Sequence, residues 1–390
     1  MKSLIYSALF VAAALIVSCG PTPAEQANQA MNDIITDLNA VGLSVAVVKN
    51  NQIVYIGAFG AKNIEEGTQI GTDDIFRIAS ISKSFTATAI MQLYEQGKFD
   101  LDEDVSVALG LPVRNPNFPD IPITYRMLLS HNSSLNDTTG YFSYNVIDPQ
   151  KTAAYWRAYN QYAPGTKYEY CNLGFNLLGG LVEIHSGERF DLYIKNHIID
   201  PLGLHAGFNV DNFDRAEFVT LYDYEDGQFV ESKDAYRSRA AELESYVPGR
   251  STPIFSPTGG MKIAPKDLAK HMLVQMNQGT WNGVQILTPQ SVQAMQTPYE
   301  YADGRVGDYG FAITTTSTLI EGETLKGHTG SAYGLYSAMF FEPEKKFGFV
   351  MMTNGCVARR TSNIFPELIN NYLAVQSDVI NALYKVFIKP

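Results

Sequence analysis

The sequence predicts an α+β fold of the α/β sandwich type, with an antiparallel β-sheet flanked by helices and a mostly helical inserted subdomain. Strand patterns rich in β-branched and aromatic residues lie near both ends of the 390-residue chain, and helical patterns fill the region between them. Strands from both ends can share one core if they join one sheet. We therefore expect a sheet part at about 31–79 and 255–375, a helical part at about 80–254, and a C-terminal helix at 376–390.

The strands are expected as two hairpins, each closed by polar turn residues. Asn50 and Asn51 lie in the first turn, and Pro343 lies in the second. The expected hairpin strands are 44–48 with 53–60, and 336–341 with 347–353. Helical patterns accompany the hairpins at 32–38, 364–373 and 378–387.

The helical part begins with a helix at Ser80, whose apolar residues recur at helical spacing until Gly97. Further helices are expected at 125–130, 172–185 and 190–199, and one at 265–279 after the chain returns to the sheet part. The stretch from Asp223 to Arg250 is polar and lacks a regular pattern. We interpret it as a flexible excursion over the site.

Composition indicates a globular protein and excludes some partners. Hydrophobic residues make up 45% of the chain, charged residues 18%, and the net charge is −11. A protein that binds nucleic acid would carry a basic face, so nucleic acid is not an expected partner. The sequence has no H-E-x-x-H motif, Walker loop or dinucleotide fingerprint, and so predicts neither a metal nor another cofactor.

The N-terminus has the pattern of an export signal. An almost unbroken apolar run from Leu4 to Val17 is short for a membrane span and suits a signal peptide. It ends at Cys19 in a sequence that resembles a bacterial lipobox. We expect residues 1–19 to be a lipoprotein signal, Cys19 to be lipidated, and residues 20–30 to be a polar tether. The alternative is a plain secretory signal.

The chain has three cysteines, and the two besides Cys19 are Cys171 and Cys356. Disulfide scaffolds use many more. We expect both to be free and mostly buried thiols.

Ser80 and Lys83 form an S-x-x-K motif. Residues three apart share a helix face, so the Lys83 amine can approach the Ser80 hydroxyl and take its proton. The Ser80 backbone N–H would also be an oxyanion donor. The motif is common by chance, and its alternative is an N-capping serine followed by a surface lysine. Ser82 faces elsewhere and is expected to be structural.

Tyr170 and Asn172 supply a phenol and an amide. A nearby ammonium would push the phenol towards phenolate, which would act as general base to Ser80 and then as acid to the leaving group. Asn172 has donor and acceptor atoms suited to orienting Lys83 and a substrate amide. The chain has 23 tyrosines, so core packing is the alternative for Tyr170.

His328, Thr329 and Gly330 precede Ser331 in a strand pattern. Gly330 would let a substrate backbone approach the strand closely, and an edge strand binds extended peptides by main-chain hydrogen bonds. The Ser331 N–H would be the second oxyanion donor. His328 and Thr329 are expected to contact a substrate carboxylate; a capped loop histidine is the alternative for His328.

In this order the motifs resemble the serine β-lactamase-like superfamily, in the branch of class C β-lactamases, D-alanyl-D-alanine carboxypeptidases and related esterases. The resemblance spans about residues 34–373. It is carried by Phe76–Lys83, Leu128–Leu135, Pro164-Gly165-Thr166, Tyr170–Gly174, Pro201–Leu204, Pro257–Met261 and Gly327–Gly330.

The resemblance implies a β-lactamase/transpeptidase-like fold and an acyl-enzyme on Ser80. Lys83 and Tyr170 would share the proton transfers, Asn172 would position them, and the backbone amides of Ser80 and Ser331 would hold the oxyanion. Which of Lys83 and Tyr170 is the base stays open, because their titrations are coupled.

Three residues depart from the family pattern. Cys171 replaces a serine or alanine, and we expect little effect because that side chain points away from the nucleophile in the family. Ser134 stands where glycine is usual, which would alter a loop. His328 replaces the lysine of class C β-lactamases, and the loss of a fixed ammonium should weaken binding of a β-lactam carboxylate unless the histidine is charged.

These features predict a lipid-anchored serine hydrolase of the bacterial cell envelope that resembles D-alanyl-D-alanine carboxypeptidases. A class C-like β-lactamase and a carboxylesterase are alternatives, and a lipoprotein acylated once as a sensor is an alternative of another class. The expected partners are a small peptide, lactam or ester substrate and, through the N-terminal anchor, a membrane. Fold analogy alone does not identify the substrate.

Overall fold

The computed structural model describes residues 20–357 and 371–389. Its strands are β1 (Gly42–Lys49), β2 (Gln52–Asn63), β3 (Thr68–Gln69), β4 (Phe76–Arg77), β5 (Ala206–Gly207), β6 (Tyr222–Glu225), β7 (Gln228–Glu231), β8 (Lys262–Ile263), β9 (Thr280–Trp281), β10 (Val284–Gln285), β11 (Thr314–Thr316), β12 (Leu325–Ala332), β13 (Leu335–Glu342) and β14 (Phe347–Thr353). Its α-helices are α1 (Pro23–Leu38), α2 (Ser82–Glu95), α3 (Val105–Leu109), α4 (Tyr125–Leu129), α5 (Asn172–Ser186), α6 (Phe190–Ile194), α7 (Ala240–Leu243), α8 (Pro265–Met276), α9 (Pro289–Gln296) and α10 (Asn371–Leu383). Among the helices of these described residues, none has the length and apolar character needed to cross a membrane.

One antiparallel sheet joins the two ends of the chain, in the order β11-β12-β13-β14-β1-β2-β3. The two predicted hairpins are β1–β2 and β13–β14, and β1 also pairs with β14, with Leu43 opposite Thr353. Asn50 and Asn51 have positive φ angles of 52° and 60°, as a two-residue hairpin turn requires. The prediction of one antiparallel sheet interrupted by a helical insertion is confirmed.

The sheet is covered on both faces because its strands are apolar on both sides. In β1, Val45 and Val47 belong to the core cluster that includes Met31 of α1 and residues of α10. Ala46 belongs to the larger cluster, together with Met272 of α8 and the apolar residues of α2. Burying each large apolar side chain contributes about 1.5–3 kcal/mol. The period-two alternation therefore places α1 and α10 on one face and α8 on the other.

The predicted helices at 125–130, 172–185, 190–199 and 265–279 are confirmed as α4, α5, α6 with the π-helical turn that follows it, and α8. The pattern at 378–387 lies in α10 and its continuation, Tyr384–Ile388. Most of the pattern at 364–373, and the expected lipidation site Cys19, lie outside the described residues.

Two expectations are corrected. Helix α1 begins at Pro23, so most of the stretch expected to be a tether at 20–30 is helical. The segment 223–250, interpreted as a flexible excursion because it lacked a regular pattern, contains regular structure: most of the β6–β7 hairpin and α7. Two tyrosines hold this segment against the rest of the protein. Tyr222 is fully buried, and the Tyr236 hydroxyl accepts a hydrogen bond from the backbone N–H of Arg77 at 3.1 Å.

A capping box explains the early start of α1. The Thr22 hydroxyl accepts from the Glu25 N–H at 3.3 Å, and the Glu25 carboxylate accepts from the Thr22 N–H at 2.7 Å. We expect Thr22→Ala to lower the free energy of unfolding by about 1 kcal/mol, because orphan N–H groups lose their acceptor. Urea denaturation of the chain from residue 20 measures this. Thr22→Ser is the control that keeps the cap, and an equal loss in both variants would contradict the assignment.

Candidate active site

Ser80 lies in a 3₁₀ turn, Ala79–Ile81, between β4 and α2. Ala79 has a φ of +47°, a left-handed conformation that costs an L-residue about 1–3 kcal/mol and needs support from its surroundings. Ser82 gives that support: its hydroxyl donates to the Ala79 carbonyl at 2.6 Å and accepts from the Met261 N–H at 3.0 Å. Ser82 is therefore structural, as predicted.

The Lys83 side chain is fully buried behind Ser80. Its Nζ lies 3.1 Å from Ser80 Oγ, 2.9 Å from Asn172 Oδ1 and 2.8 Å from the Thr258 carbonyl oxygen. The three acceptors match the three N–H groups of an ammonium; in the neutral amine, two N–H groups still donate to Asn172 and Thr258 while the lone pair faces Ser80 Oγ. The predicted approach of the two side chains is thus observed, and a surface lysine is excluded.

Burial lowers the pKa of Lys83 to about 7, and the Asp137 carboxylate and then Cys171 oppose that shift. An amine with a pKa near neutrality is partly unprotonated at physiological pH, so it can accept a proton and return it. A carboxylate in direct contact with the amine would have kept it charged. The site therefore combines the desolvated Lys83 amine with the Asp137 carboxylate, which is separated from it by the Asn172 side chain.

Tyr170 lies over Lys83, with Nζ 4.8 Å from the ring centroid. Burial raises the pKa of Tyr170 well above its usual range, and the Ser80 side chain only partly opposes this. The expectation that the ammonium would push Tyr170 towards phenolate was wrong, because burial raises the pKa of the phenol. The phenol oxygen is buried beside the Ser80 side chain. Tyr170 is a neutral phenol, suited to donating a proton.

Asp137 organises the start of α5, and the sequence analysis did not identify it. Its carboxylate accepts from the backbone N–H of Asn172 at 2.9 Å, from the Asn172 side-chain amide at 2.9 Å and from the Leu173 N–H at 3.0 Å. A carboxylate at a helix N-terminus is also favoured by the helix dipole. The Asn172 amide group is thereby fixed with Oδ1 towards Lys83, and Thr258 Oγ1 donates to the same oxygen at 2.5 Å.

Cys171 points away from Ser80 and towards Asp137, with Sγ 3.4 Å from the carboxylate. Cys171 and Cys356 are both free and buried, as predicted. Burial raises the pKa of the Cys171 thiol, and Asp137 adds to the shift. Ser134 has a φ of +60°, which explains why glycine suits that position; its hydroxyl accepts from the Asn115 amide at 2.8 Å.

His328 is buried and neutral. Burial lowers its pKa to about 3, with a smaller contribution from Lys83. Its Nδ1–H donates to the Thr329 carbonyl at 2.5 Å, and its Nε2 accepts from the Tyr309 hydroxyl at 2.8 Å. The condition under which His328 would compensate for a missing lysine, a charged ring, is therefore not met at neutral pH.

Gly330 holds β12 against the turn that carries Ser80. A Cβ at this position would lie 2.4 Å from the Ile78 carbonyl oxygen, 2.5 Å from Ser337 Oγ and 3.2 Å from Ala79 Cβ. Only glycine therefore permits this approach. The strand and the turn are in direct backbone contact.

The Ser331 N–H points to the free edge of β12. Tyr333 and Gly334 form a two-residue turn with φ angles of 56° and 75°, so Ala332 and Leu335, which flank it, exchange hydrogen bonds. The alternation of an antiparallel ladder then directs the Ser331 N–H away from β13. On that side β11 pairs with β12 only as far as Gly327. The N–H can therefore face a substrate oxygen, and its role as the second oxyanion donor stays a prediction.

These groups surround one cleft of 510 Å³, lined by Ser80, Tyr168, Tyr170, Asn172, Tyr309, Thr314, His328, Thr329, Gly330 and Ser331. Every residue that the sequence analysis proposed for the catalytic cluster is in or beside it. Their catalytic roles stay predictions. Asp137, Thr258, Tyr168 and Tyr309 were missed as site residues, and only Thr258 lay in a motif that the resemblance had identified.

Asp137→Asn is expected to shift the pH profile of the reaction. Lys83 must be unprotonated to accept the Ser80 proton, so kcat/KM for an uncharged substrate should rise as pH increases through about 7. The Asp137 charge raises the pKa of Lys83. Its removal should move the acid limb to lower pH, and the loss of acceptors for Asn172 should reduce kcat.

The measurement is kcat/KM across pH for both proteins, with the exposed Asp120→Asn as a charge-matched control. A profile of Asp137→Asn that overlays that of the unmodified protein would show that Lys83 does not set the acid limb.

Comparison with known proteins identifies the family. A family model described as Beta-lactamase matches residues 28–363. Protein flp of Staphylococcus aureus strain MRSA252 is 23% identical over 322 residues, which are 80% of this chain and 59% of that protein. The chain thus spans less than two thirds of the length of the curated relatives it first matches.

Solved structures show the same fold. The octameric penicillin-binding protein homologue from Pyrococcus abyssi superposes with a TM-score of 0.68 at 24% identity, over 85% of this chain and 73% of that one. The D-amino acid amidase from Ochrobactrum anthropi SV3, complexed with L-phenylalanine amide, gives a TM-score of 0.67 at 22% identity, over 92% of this chain and 99% of that one. Because the family model spans most of the chain, the protein belongs to the Beta-lactamase family.

Proposed function

We propose that this protein hydrolyses small amides or esters through an acyl-enzyme on Ser80. The observation that supports this most directly is the contact of Ser80 Oγ with a buried Lys83 amine whose pKa is about 7. A serine hydroxyl becomes a nucleophile when such a base takes its proton. The cleft in front of Ser80 is large enough for a small substrate.

The positions of the groups support the following acylation step. Ser80 Oγ attacks the carbonyl carbon while its proton passes to Lys83 Nζ. The negative charge on the carbonyl oxygen is stabilised by the N–H groups of Ser80 and Ser331. As the bond to the leaving group breaks, the neutral Tyr170 phenol donates a proton to the leaving atom and recovers one from Lys83. Water then reverses these steps and releases the acid.

The acyl group that we propose is D-alanyl or a similar D-aminoacyl group, as in D-alanyl-D-alanine carboxypeptidases. The sequence motifs support this substrate class, and the similar folds of a penicillin-binding protein homologue and a D-amino acid amidase are consistent with it. A class C-like β-lactamase is less favoured, since neutral His328 offers no cation to a lactam carboxylate. A carboxylesterase and a sensor that is acylated once remain the competing functions.

The decisive experiment is intact-mass spectrometry with steady-state kinetics on a D-alanyl peptide, a short-chain ester and nitrocefin. A transient adduct with turnover of the D-alanyl peptide, absent in Ser80→Ala, is the expected result. An adduct that forms once and never turns over would favour the sensor. Preferential turnover of nitrocefin or the ester would favour the β-lactamase or the esterase, and no adduct with any of the three would remove the acyl-enzyme.

We also propose that the protein is held at the cell envelope by a lipid on Cys19. The apolar run before Cys19 and the small residues beside it support this location. Expression in a bacterial host followed by detergent phase partition tests it. The full chain should enter the detergent phase and Cys19→Ser the aqueous phase; identical partition of the two would exclude the anchor.

A further inference from the structure

The side of the cleft that receives the leaving group can be identified from the proposed chemistry. The Ser80 and Ser331 N–H groups fix the carbonyl oxygen, and the Tyr170 phenol must reach the leaving atom. The leaving group therefore lies on the Tyr170 side, where the His328 ring centroid is 6.2 Å from that of Tyr170. The Tyr309 hydroxyl is hydrogen-bonded to the His328 ring, so Tyr170, His328 and Tyr309 form one wall of the cleft.

This wall has no fixed charge. Among the described residues that line the cleft, none is an arginine, lysine, aspartate or glutamate. His328 is neutral, and both of its ring nitrogens are already hydrogen-bonded. His131 lies behind the wall with its ring 4.9 Å from Tyr309, and burial lowers its pKa well below the usual value. The Lys83 amine is near this wall, but it is buried behind Ser80 and is partly unprotonated at neutral pH.

A second cavity of 520 Å³ continues the cleft past this wall. It shares Tyr168, Tyr309 and Thr314 with the cleft and adds Tyr301, Arg305, Val306, Gly307 and Asp308. Val306 is 64% exposed and adds apolar surface to this cavity. The extension is thus a tyrosine-lined groove, with Val306 as its apolar residue and Arg305 and Asp308 as its charged ones.

Arg305 does not supply a free positive charge to the groove. Its Nε is paired with Asp303 at 2.8 Å, and its guanidinium lies over the Tyr301 ring, 4.9 Å from the centroid. A second guanidinium nitrogen donates to the Thr166 carbonyl at 3.3 Å. The positive charge is therefore already balanced by a carboxylate at the outer rim.

We infer that the cleft selects substrates whose leaving group is uncharged and apolar, an amine or alcohol with an alkyl or aromatic substituent, over a leaving amino acid with a free carboxylate. This rests on the proposed acyl-enzyme on Ser80 and keeps its D-aminoacyl part, but it departs from a carboxypeptidase, whose leaving amino acid carries a free carboxylate. A carboxylate next to the scissile bond would be desolvated against His328 and Tyr309 without a cation, which is unfavourable. Aromatic substituents instead gain stacking and apolar contact in the tyrosine-lined groove.

Three substrates with the same acyl part test this on the unmodified protein. They are Nα-acetyl-D-alanyl-D-alanine, its C-terminal amide, and Nα-acetyl-D-alanine benzylamide. We expect kcat/KM for the C-terminal amide to exceed that for the carboxylate at least tenfold, and the benzylamide to equal or exceed the amide. Equal or faster hydrolysis of the carboxylate would overturn the inference. No Ser80-dependent hydrolysis of any of them would remove the proposed function, and the inference with it.

The Thr314→Arg variant tests whether an added cation reverses the preference for the C-terminal amide over the carboxylate. Thr314 is partly buried and lines both cavities, opposite Gly327 of β12. We expect the carboxylate-to-amide ratio of kcat/KM to rise at least tenfold in this variant. The exposed Thr318→Arg adds the same charge outside the cavities and should leave the ratio unchanged. A folded Thr314→Arg with an unchanged ratio would contradict the inference.

Discussion

Replacing Lys83 with methionine is expected to lower kcat/KM by about 10²–10⁴, the usual contribution of a positioned general base. The Lys83 amine accepts the proton of Ser80, and no other basic group contacts Ser80 Oγ among the described residues. Methionine has a similar length and suits a buried position, so the fold should persist. The Thr258 carbonyl and Asn172 Oδ1 would each lose a donor.

Lys83→Arg should be equally impaired, because a guanidinium stays protonated and cannot act as base. The matched control is Lys98→Met, at an exposed position just beyond the same helix. Acylation rates from burst kinetics measure the effect, and circular dichroism checks the fold. A Lys83→Met protein within tenfold of the unmodified rate would identify another group as the base.

Gly330→Val is expected to reduce activity by about 10²–10³, the usual cost of removing an oxyanion donor. A Cβ there would overlap the Ile78 carbonyl and the Ser337 hydroxyl, so β12 and the turn bearing Ser80 must separate. Ser337 Oγ would also lose its 3.0 Å bond to the Ile78 carbonyl. The two oxyanion donors would then no longer share one substrate oxygen.

This effect should appear in kcat rather than in KM, because the oxyanion forms only in the transition state. Gly71→Ala is the control: its new Cβ would meet Asp74 at an ordinary 3.6 Å. The unfolding midpoint should be measured in parallel. Unchanged kcat in a folded Gly330→Val protein would show that the approach of strand and turn is unnecessary.

Sequence patterns predicted those elements that depend on neighbouring residues in the chain. The first hairpin follows from two β-rich runs around Asn50 and Asn51, which adopt the positive φ angles that asparagine tolerates. The start of α1 could also have been predicted, because Thr22 and Glu25 have the spacing of a capping box. It was missed because the prolines beside it were interpreted as tether chemistry, although proline is favoured in the first turn of a helix.

Ionisation at the site could not be predicted from spacing. The motifs placed an amine near a phenol, but the direction of the Tyr170 pKa depends on how completely the pair is desolvated. The same holds for His328, whose neutrality results from burial beside Tyr309. Asp137 is one of 40 acidic residues, and only the fold shows that it faces the start of α5.

The pairing of β1 with β14 has a consequence for biosynthesis. Leu43 emerges from the ribosome early, yet its partner Thr353 is among the last residues of the sheet to be translated. During that interval one edge of the nascent β1–β2 hairpin has no neighbour and exposes apolar side chains, a state prone to misassociation. Such late closure of distant contacts slows folding, so the emerging chain should depend on chaperones until its final strands are available.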